Sequence, residues 1–231
     1  MIKNPTLSFL VPSRERANAL KFSLDSLGLK RNNIEALVWV DDDDPQLKEY
    51  RKIFNKNDHI KLFIKPRVGY LNFFVMMNFL AREASGNWLL LWNDDAYMDN
   101  PDWFRIFEDF VKKFKPATEP VVIDIWSQGV IVNNLFPIVS RAYIDILGHF
   151  ALTPNCDDWV RIVARGGNIS HDLLGIKPKH HKYSGENILK DKIYYEVERD
   201  RAEHKKVWNE KRRLFPPQLD EDIKKILKHK K

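Results

Sequence analysis

Residues 88–95 read WLLLWNDD, an apolar run that ends abruptly in three polar residues. The same change from apolar to polar occurs within residues 7–16, LSFLVPSRER, and within residues 36–45, ALVWVDDDDP. Continuous apolar runs of this length are typical of strands that are buried on both faces of a parallel sheet. The three runs therefore predict neighbouring strands whose carboxyl ends carry polar side chains.

Segments with helical periodicity separate these runs, so strand and helix alternate four times before residue 115. This order predicts an α/β domain with a mainly parallel central sheet flanked by helices. The predicted strands are 6–12, 36–40, 60–64, 88–92, 121–126 and 130–132. The predicted helices are 15–29, 46–55, 70–84, 102–114, 141–148, 157–164 and 187–213, with a short basic helix after Pro216-Pro217 and a loop-rich stretch at 171–185.

Composition excludes several classes of protein. The chain has 231 residues, of which 44% are hydrophobic, so a disordered chain is excluded. A single cysteine, Cys156, excludes an internal disulfide framework and a cysteine-based zinc site. The sequence contains neither an apolar stretch of the roughly 18–20 residues that a membrane span needs nor a signal peptide. We expect a soluble, cytoplasmic protein without a membrane span.

The net charge of +6 lies at one end of the chain. Residues 199–231 hold 12 Lys or Arg against 6 Asp or Glu, whereas the other 198 residues hold 26 of each. This distribution predicts a domain over residues 1–198 and a basic helical tail over 199–231. Such a tail is either a solvated amphipathic helix or a contact for nucleic acid or an anionic membrane surface.

The polar strand ends indicate the chemistry of the site. In parallel sheets, ligands bind beyond the carboxyl ends of the strands. Two acidic clusters at this edge repel each other unless a cation lies between them, and oxygen ligands favour Mg²⁺ or Mn²⁺. A metal held by one or two carboxylates usually takes substrate phosphates as further ligands, which indicates a nucleotide. The sequence has no Walker P-loop and no GxGxxG after the first strand.

The stretches LSFLVPSRER, ALVWVDDDDP and EASGNWLLLWNDDAYM resemble the nucleotide-binding half of GT-A glycosyltransferases, with most similarity to the family 2 type. In that family the first strand ends in a Pro-Ser/Thr-Arg turn, and the second ends in aspartates that hold the base and ribose. A later strand runs into an Asp-x-Asp-like metal motif. The resemblance assigns Pro12, Ser13, Arg14, Asp41, Asp42, Arg67, Asn93 and Asp94 to the nucleotide-sugar, and Asp95 to the metal.

The second half of the chain has a fainter resemblance to the acceptor side of the same family. Asp157-Asp158 occupies the place of the acidic pair that contains the general base, with Asp158 slightly preferred. The segment 179–182, KHHK, resembles the late loop that supplies a histidine to the metal, and His181 is the predicted ligand. The resemblance covers about residues 5–195, divided into a nucleotide-sugar-binding half, 1–115, and an acceptor half, 116–198.

The resemblance implies an inverting glycosyltransferase that uses Mn²⁺ or Mg²⁺ and a nucleoside-diphosphate sugar, with a UDP-sugar favoured. The acceptor would be a glycan or a lipid-linked glycan. Three alternatives stay open: the same chemistry on a modified base in DNA, a non-catalytic nucleotide-sugar- or nucleic-acid-binding protein, and a nucleotidyltransferase. The last is disfavoured because residues 13–17 contain no glycine. The sequence leaves the oligomeric state open.

Overall fold

The computed structural model describes residues 6–125, 136–180, 192–203 and 216–230. The strands are β1 Leu7–Ser13, β2 Glu35–Asp41, β3 Ile60–Lys65, β4 Trp88–Leu91, β5 Ala96–Met98, β6 Val122–Asp124, β7 Ile138–Ser140, β8 Ser170–Asp172 and β9 Pro178–His180. The helices are α1 Ala17–Leu27, α2 Leu47–Phe54, α3 Phe73–Glu83, α4 Trp103–Val111, α5 Arg141–Leu147, α6 Cys156–Gly166, α7 Lys192–Glu203 and α8 Pro216–His229, with a 3-10 turn at Tyr70–Asn72.

Seven strands form the central sheet in the order β3-β2-β1-β4-β7-β6-β8. The four strands β3, β2, β1 and β4 are parallel to one another. Strand β7 runs antiparallel to both β4 and β6, and β8 is parallel to β6. The prediction of a mostly parallel sheet flanked by helices is therefore confirmed, and the single reversal at β7 occurs in the second half of the chain.

Apolar side chains cover both faces of the sheet, as the continuous apolar strands predict. Phe9 and Val11 point into one core cluster, which also contains residues of α1, α2 and α4. Leu10, between them, points into the other cluster, which contains residues of α3, α5, α6 and α8. The alternation of side chains along a strand explains why an uninterrupted apolar run is needed when both faces are covered.

Short strands account for most differences from the predicted elements. Strands β5 and β9 form a separate two-stranded antiparallel sheet, and β8 and β9 lie in a stretch predicted to be loop-rich. These strands have three residues each, too few to show a period. The predicted strand 130–132 lies outside the described residues, as do residues 204–213 of the predicted helix 187–213, of which 192–203 form α7.

The C-terminal helix α8 packs against α5 and α6. Ile226 is fully buried, and a Cβ built on Gly167 would lie 2.6 Å from Cγ2 of Ile226. A Cβ on Gly166 would lie 2.5 Å from Cδ1 of Ile223, so the two glycines at the end of α6, Gly166 and Gly167, allow the close approach of α8. The division of the chain at residue 198 stays a prediction, but this helix lies on the core rather than apart from it.

Among the residues that the structure describes, no helix is both long enough and apolar enough to cross a membrane.

Candidate active site

A cleft of about 400 Å³ lies beyond the carboxyl ends of β1, β2 and β4. The structure brings together ten of the twelve residues predicted from the sequence. These are Pro12, Ser13, Arg14, Asp41, Arg67, Asn93, Asp94, Asp95, Asp157 and Asp158. Asp42 is exposed and is not one of the lining residues, and His181 lies outside the described residues. The cleft is thus where the parallel strands predict a ligand site.

Asp94 joins the turn after β1 to the end of β4. Its carboxylate accepts a hydrogen bond from Ser13 Oγ at 2.8 Å and another from Nη1 of Arg16 at 3.0 Å. Tyr50 is 2.7 Å from the same Ser13 hydroxyl. Burial raises the pKa of Asp94 above its ordinary value, and the charge of Arg16 opposes this shift. Asp94 is therefore held by two direct neighbours, Ser13 and Arg16, and Tyr50 in turn holds Ser13.

Asp95 lies beside a histidine from a distant part of the chain. Nε2 of His180 is 2.8 Å from Oδ1 of Asp95 and 3.2 Å from Nδ2 of Asn93. Burial alone would raise the pKa of Asp95, but the hydrogen bond with His180 and the charges of His180 and Arg16 lower it overall. A carboxylate that stays ionised while buried, next to an imidazole, is a suitable pair of ligands for a divalent cation.

The pairing of β5 with β9 explains why His180 is at the site. In this antiparallel pair, Ala96 lies opposite His180 and Tyr97 lies opposite Lys179. Because side chains alternate along a strand, Lys179 points the other way and forms an ion pair with Asp99. The histidine beside Asp95 is thus His180, whereas the sequence prediction selects His181.

The donor set of the site is small. Among the described residues, no group of three or more His, Cys, Asp and Glu side chains is arranged to hold a metal ion. Asp95 and His180 supply one carboxylate and one imidazole, and Asn93 supplies an amide. This set fits a cation such as Mn²⁺ or Mg²⁺ that takes its remaining ligands from substrate phosphates and water.

A second acidic group lines the cleft at the end of β2. Asp41 accepts hydrogen bonds from Nε1 of Trp39 at 3.1 Å and from Nη1 of Arg14 at 3.2 Å. Burial raises the pKa of Asp41, while Trp39 and Arg14 act in the opposite direction. Arg14 also pairs with Asp43. The guanidinium of Arg14 is thus held at the cleft by two carboxylates.

The four consecutive aspartates at the end of β2 have different environments. Asp44 is buried and accepts backbone N–H bonds from Glu15 at 2.8 Å and Gln46 at 2.7 Å. It therefore fixes the turn between β2 and α2 and holds the loop after β1. Asp42 and Asp43 are exposed, so only Asp41 of the four faces the cleft.

The acidic pair at the start of α6, Asp157 and Asp158, also lines the cleft. Burial raises the pKa of Asp157 to about 6, and the negative charge of Asp158 adds to this shift. Asp158 accepts a hydrogen bond from Nη2 of Arg161 at 2.7 Å. A carboxyl group with a pKa near neutrality is suited to take a proton from a substrate at physiological pH.

Helix α7 also lines the cleft. Nη2 of Arg67 is 3.4 Å from Oε2 of Glu196, and Nζ of Lys192 is 3.2 Å from Oε1 of Glu15. Tyr194 and Asp200 of the same helix line the cleft. These residues, together with Arg16 and His180, are missing from the site predicted from the sequence. Arg16 belongs to the polar cluster after β1, but α7 has no sequence signal that links it to the cleft.

Solved structures with the same arrangement of elements were found. The mannosyltransferase PcManGT from Pyrobaculum calidifontis, in complex with GDP-Man and Mn²⁺, matches with a TM-score of 0.63 and 14% identity, over 98% of this chain and 70% of its own. TarS 1–349 from S. aureus in complex with UDP matches with a TM-score of 0.60 and 16% identity, over 75% of this chain and 60% of its own. The chain has the GT-A fold.

These likenesses show the GT-A fold alone, because the sequence identities are low. TarS 1–349 in complex with UDP-GlcNAc matches equally well, with a TM-score of 0.60 and 16% identity, over 83% of this chain and 64% of its own. This chain thus spans less than two thirds of the length of the TarS fragment. No protein-family model matches the sequence, and no curated protein matches it. The similarity lies in the GT-A arrangement of strands and helices.

Proposed function

We propose that this protein is a glycosyltransferase that moves a sugar from a nucleoside-diphosphate sugar to an acceptor hydroxyl with the help of a divalent cation. The observation that carries the proposal is the content of the cleft, which brings Asp95 and His180 together with Asp157. The GT-A neighbours are described in complex with UDP, UDP-GlcNAc, and GDP-Man with Mn²⁺, which supports the same class of donor here.

In this proposal Asp41 and Arg14 hold the nucleotide. Asp41 is buried at the end of β2, where its carboxylate can accept hydrogen bonds from the base or ribose. Arg14 and Arg67 supply positive charge to the diphosphate. Both arginines are paired with carboxylates in the structure described here, Arg14 with Asp41 and Arg67 with Glu196. Donor phosphates would compete with these carboxylates for the guanidinium groups.

Asp95 and His180 would hold the cation. A divalent cation bound there neutralises the charge that develops on the nucleoside-diphosphate leaving group. The 2.8 Å contact between Oδ1 of Asp95 and Nε2 of His180 supports this assignment, because it holds both ligand atoms at the end of β4. Asn93 stands where an aspartate is usual, and its amide oxygen can contact either the ion or the sugar.

Asp157 is the residue we assign as the general base. As the acceptor oxygen forms its bond to the anomeric carbon, the bond from that carbon to the diphosphate breaks, and Asp157 takes the acceptor proton. Asp158 is less suited because Arg161 already binds its carboxylate. A single base opposite the leaving group gives inversion of the anomeric centre. We favour a UDP-sugar as the donor and a glycan, free or lipid-linked, as the acceptor.

Thermal unfolding with added nucleotides tests the donor site. We expect UDP, GDP or dTDP to raise the melting temperature in the presence of Mn²⁺ or Mg²⁺ and to have a much smaller effect with EDTA. A ligand at 100 times its dissociation constant stabilises the folded state by about 2.7 kcal/mol. Mn²⁺ alone should have little effect, because two protein ligands bind it weakly without the diphosphate. The absence of a shift with every diphosphate would contradict the proposal.

Asp95→Ala tests the metal ligand, with Asp109→Ala as the matched control. Asp109 is an exposed aspartate on α4 that pairs with Lys112. We expect Asp95→Ala to abolish both the metal-dependent part of the nucleotide shift and sugar transfer from the donor, and Asp109→Ala to leave both unchanged. A folded Asp95→Ala variant that still transfers sugar would contradict the assignment of Asp95.

A further inference from the structure

Lysines are concentrated at the end of α8, and the proposed donor site does not account for them. Residues 220–222 of this helix are acidic, whereas residues 223–230 hold four lysines and no carboxylate. Ile226 and Asp222 face the core, and Lys224, Lys228 and Lys230 are exposed. The charge of α8 is therefore unevenly distributed. The acidic residues precede the lysines along the chain, and these three lysines lie on the exposed side of the helix.

Other parts of the fold add positive charge at the same place. Lys230 Nζ donates to the carbonyl oxygen of Asn168 at 2.8 Å, and His229 Nε2 is 2.9 Å from the carbonyl oxygen of Thr118. Lys113 lies 4.1 Å above the ring of Phe110. Burial lowers the pKa of His171, and the charges of Lys113 and Lys230 lower it further, which places these two lysines around one imidazole.

We name this surface the basic edge. It comprises Lys113, Lys115, Arg165, Lys224, Lys228 and Lys230, all of them exposed. Glu119, which accepts a hydrogen bond from the backbone of Lys115, and Asp172, which acts on His171, lie beside these residues. The basic residues outnumber these carboxylates, as an anionic surface requires, and three of the six lie in residues 199–231, which carry the net positive charge.

The strand directions place the basic edge opposite the cleft. Strand β6 runs in the same direction as β4, because each is antiparallel to β7, and β8 is parallel to β6. The cleft lies beyond the carboxyl ends of the parallel strands. Lys230 contacts residue 168 and His229 contacts residue 118, before the amino ends of β8 and β6. The two surfaces thus lie at opposite ends of the sheet, and the seven residues of β1 span about 20–25 Å in this direction.

We propose that the basic edge docks the protein on a membrane surface that contains anionic lipids. Three features favour lipid headgroups over nucleic acid. Five of the six cations are lysines, which act as point charges and lack the forked geometry that arginine offers to nucleic-acid phosphates. Leu227 on α8 and Ile162 on α6 are each 42% exposed, and apolar side chains next to lysines are typical of helices that lie in the membrane interface. The cleft stays open to the solvent when the opposite edge is covered.

Vesicle sedimentation with the full-length chain tests the docking. We expect binding to phosphatidylcholine vesicles that contain about 30 mol% phosphatidylglycerol at low salt, release at about 0.5 M salt, and no binding to pure phosphatidylcholine vesicles. The double variant Lys113→Glu/Lys228→Glu should lower partitioning at least about tenfold, since each basic residue near such a surface contributes about 1 kcal/mol. Its melting temperature and its response to nucleotide should not change.

A matched double variant with the same change of net charge is Lys48→Glu/Lys52→Glu. Both lysines are exposed on α2, which follows β2 on the far side of the sheet. This control should bind the anionic vesicles within about twofold of the unaltered protein, because its charges lie away from the docked surface. Equal loss of binding in both double variants would show that net charge alone acts, and would overturn the proposal.

Two further outcomes would also overturn it. One is the absence of sedimentation with anionic vesicles at low salt. The other is tighter binding to duplex DNA than to anionic vesicles at the same salt, lost in Lys113→Glu/Lys228→Glu, which would make nucleic acid the partner of the basic edge. A failure of the nucleotide-dependent thermal shift would leave the vesicle result unaffected, so the two proposals fail separately.

Discussion

At the scale of single residues, Asp157 combines a position on the cleft wall with a pKa raised to about 6 by burial and by the charge of Asp158. A general base must be ionised, so we expect kcat/KM for sugar transfer to rise with pH through about 6. Asp157→Asn should lower kcat by about 10²–10⁴-fold. Asp158→Asn, the neighbouring control, should have a smaller effect. A larger loss in Asp158→Asn would assign the base to Asp158 instead.

The stability of Asp157→Asn gives an independent readout of the same pKa. A folded-state pKa of about 6 lies above the ordinary aspartate pKa of 3.8, so the carboxyl stabilises the fold fully only below about pH 3.8, and this contribution is lost as the pH rises through 6. The asparagine does not ionise. We therefore expect Asp157→Asn to be more stable than the unaltered protein at pH 8, by about 1–3 kcal/mol, and equal to it near pH 4. Urea unfolding at both pH values measures this difference, and equal stability at pH 8 would contradict the raised pKa.

The sequence indicates which residues follow long strands, but it does not indicate which side chains a strand register brings to the cleft. Asp41 and Asp95 come directly after apolar runs, so their place at the sheet edge follows from chain order. The choice between His180 and His181 depends on the pairing of Ala96 with His180 across two strands of three residues. A shift by one residue would turn His180 away from Asp95, and no sequence pattern of that length specifies the register.

At the scale of elements, the accuracy of the sequence analysis follows the length of the apolar pattern. The first four strands and the helices between them are confirmed because their runs are long enough to show a period. Helix 70–84 is confirmed from residue 73, and its first turn is a 3-10 turn. Strands β5 and β9 are missed because alternation over three residues cannot be distinguished from a loop.

The packing of α8 against α6 predicts a strong contrast between two neighbouring residues. Ile226 is fully buried, and Leu227, next to it, is 42% exposed. Removal of buried side-chain atoms leaves a cavity, so Ile226→Ala should lower the free energy of unfolding by about 2–4 kcal/mol. Leu227→Ala should lower it by less than about 1 kcal/mol. Urea unfolding measures both, and a small, equal effect would mean that α8 does not pack on α6 in solution.

At the scale of the whole molecule, the two ends of the sheet have opposite properties. The cleft edge contains Asp41, Asp94, Asp95 and Asp157, and the basic edge contains five lysines and one arginine. In the sequence, the uneven charge is visible as a difference between the basic residues 199–231 and the neutral residues 1–198. The sequence cannot show that α8 folds back along α6, because that depends on the close approach at Gly166 and Gly167, which no periodicity reveals.

Helix α8 is thus a part of the core and also holds exposed lysines of the basic edge. Truncation of the chain tests its role in the core. A chain that ends at residue 215 lacks α8 and uncovers apolar residues of α5 and α6 that Ile226 and Leu219 now contact. We expect it to lose at least about 3 kcal/mol of stability, which for a chain of this size lowers the melting temperature by about 6–12 °C. A chain that ends at residue 229 keeps α8 and should melt at the same temperature as the whole protein. If residues 199–231 were an appendage, both truncated chains would melt like the whole protein, and the loss of vesicle binding would be the only effect of removing α8.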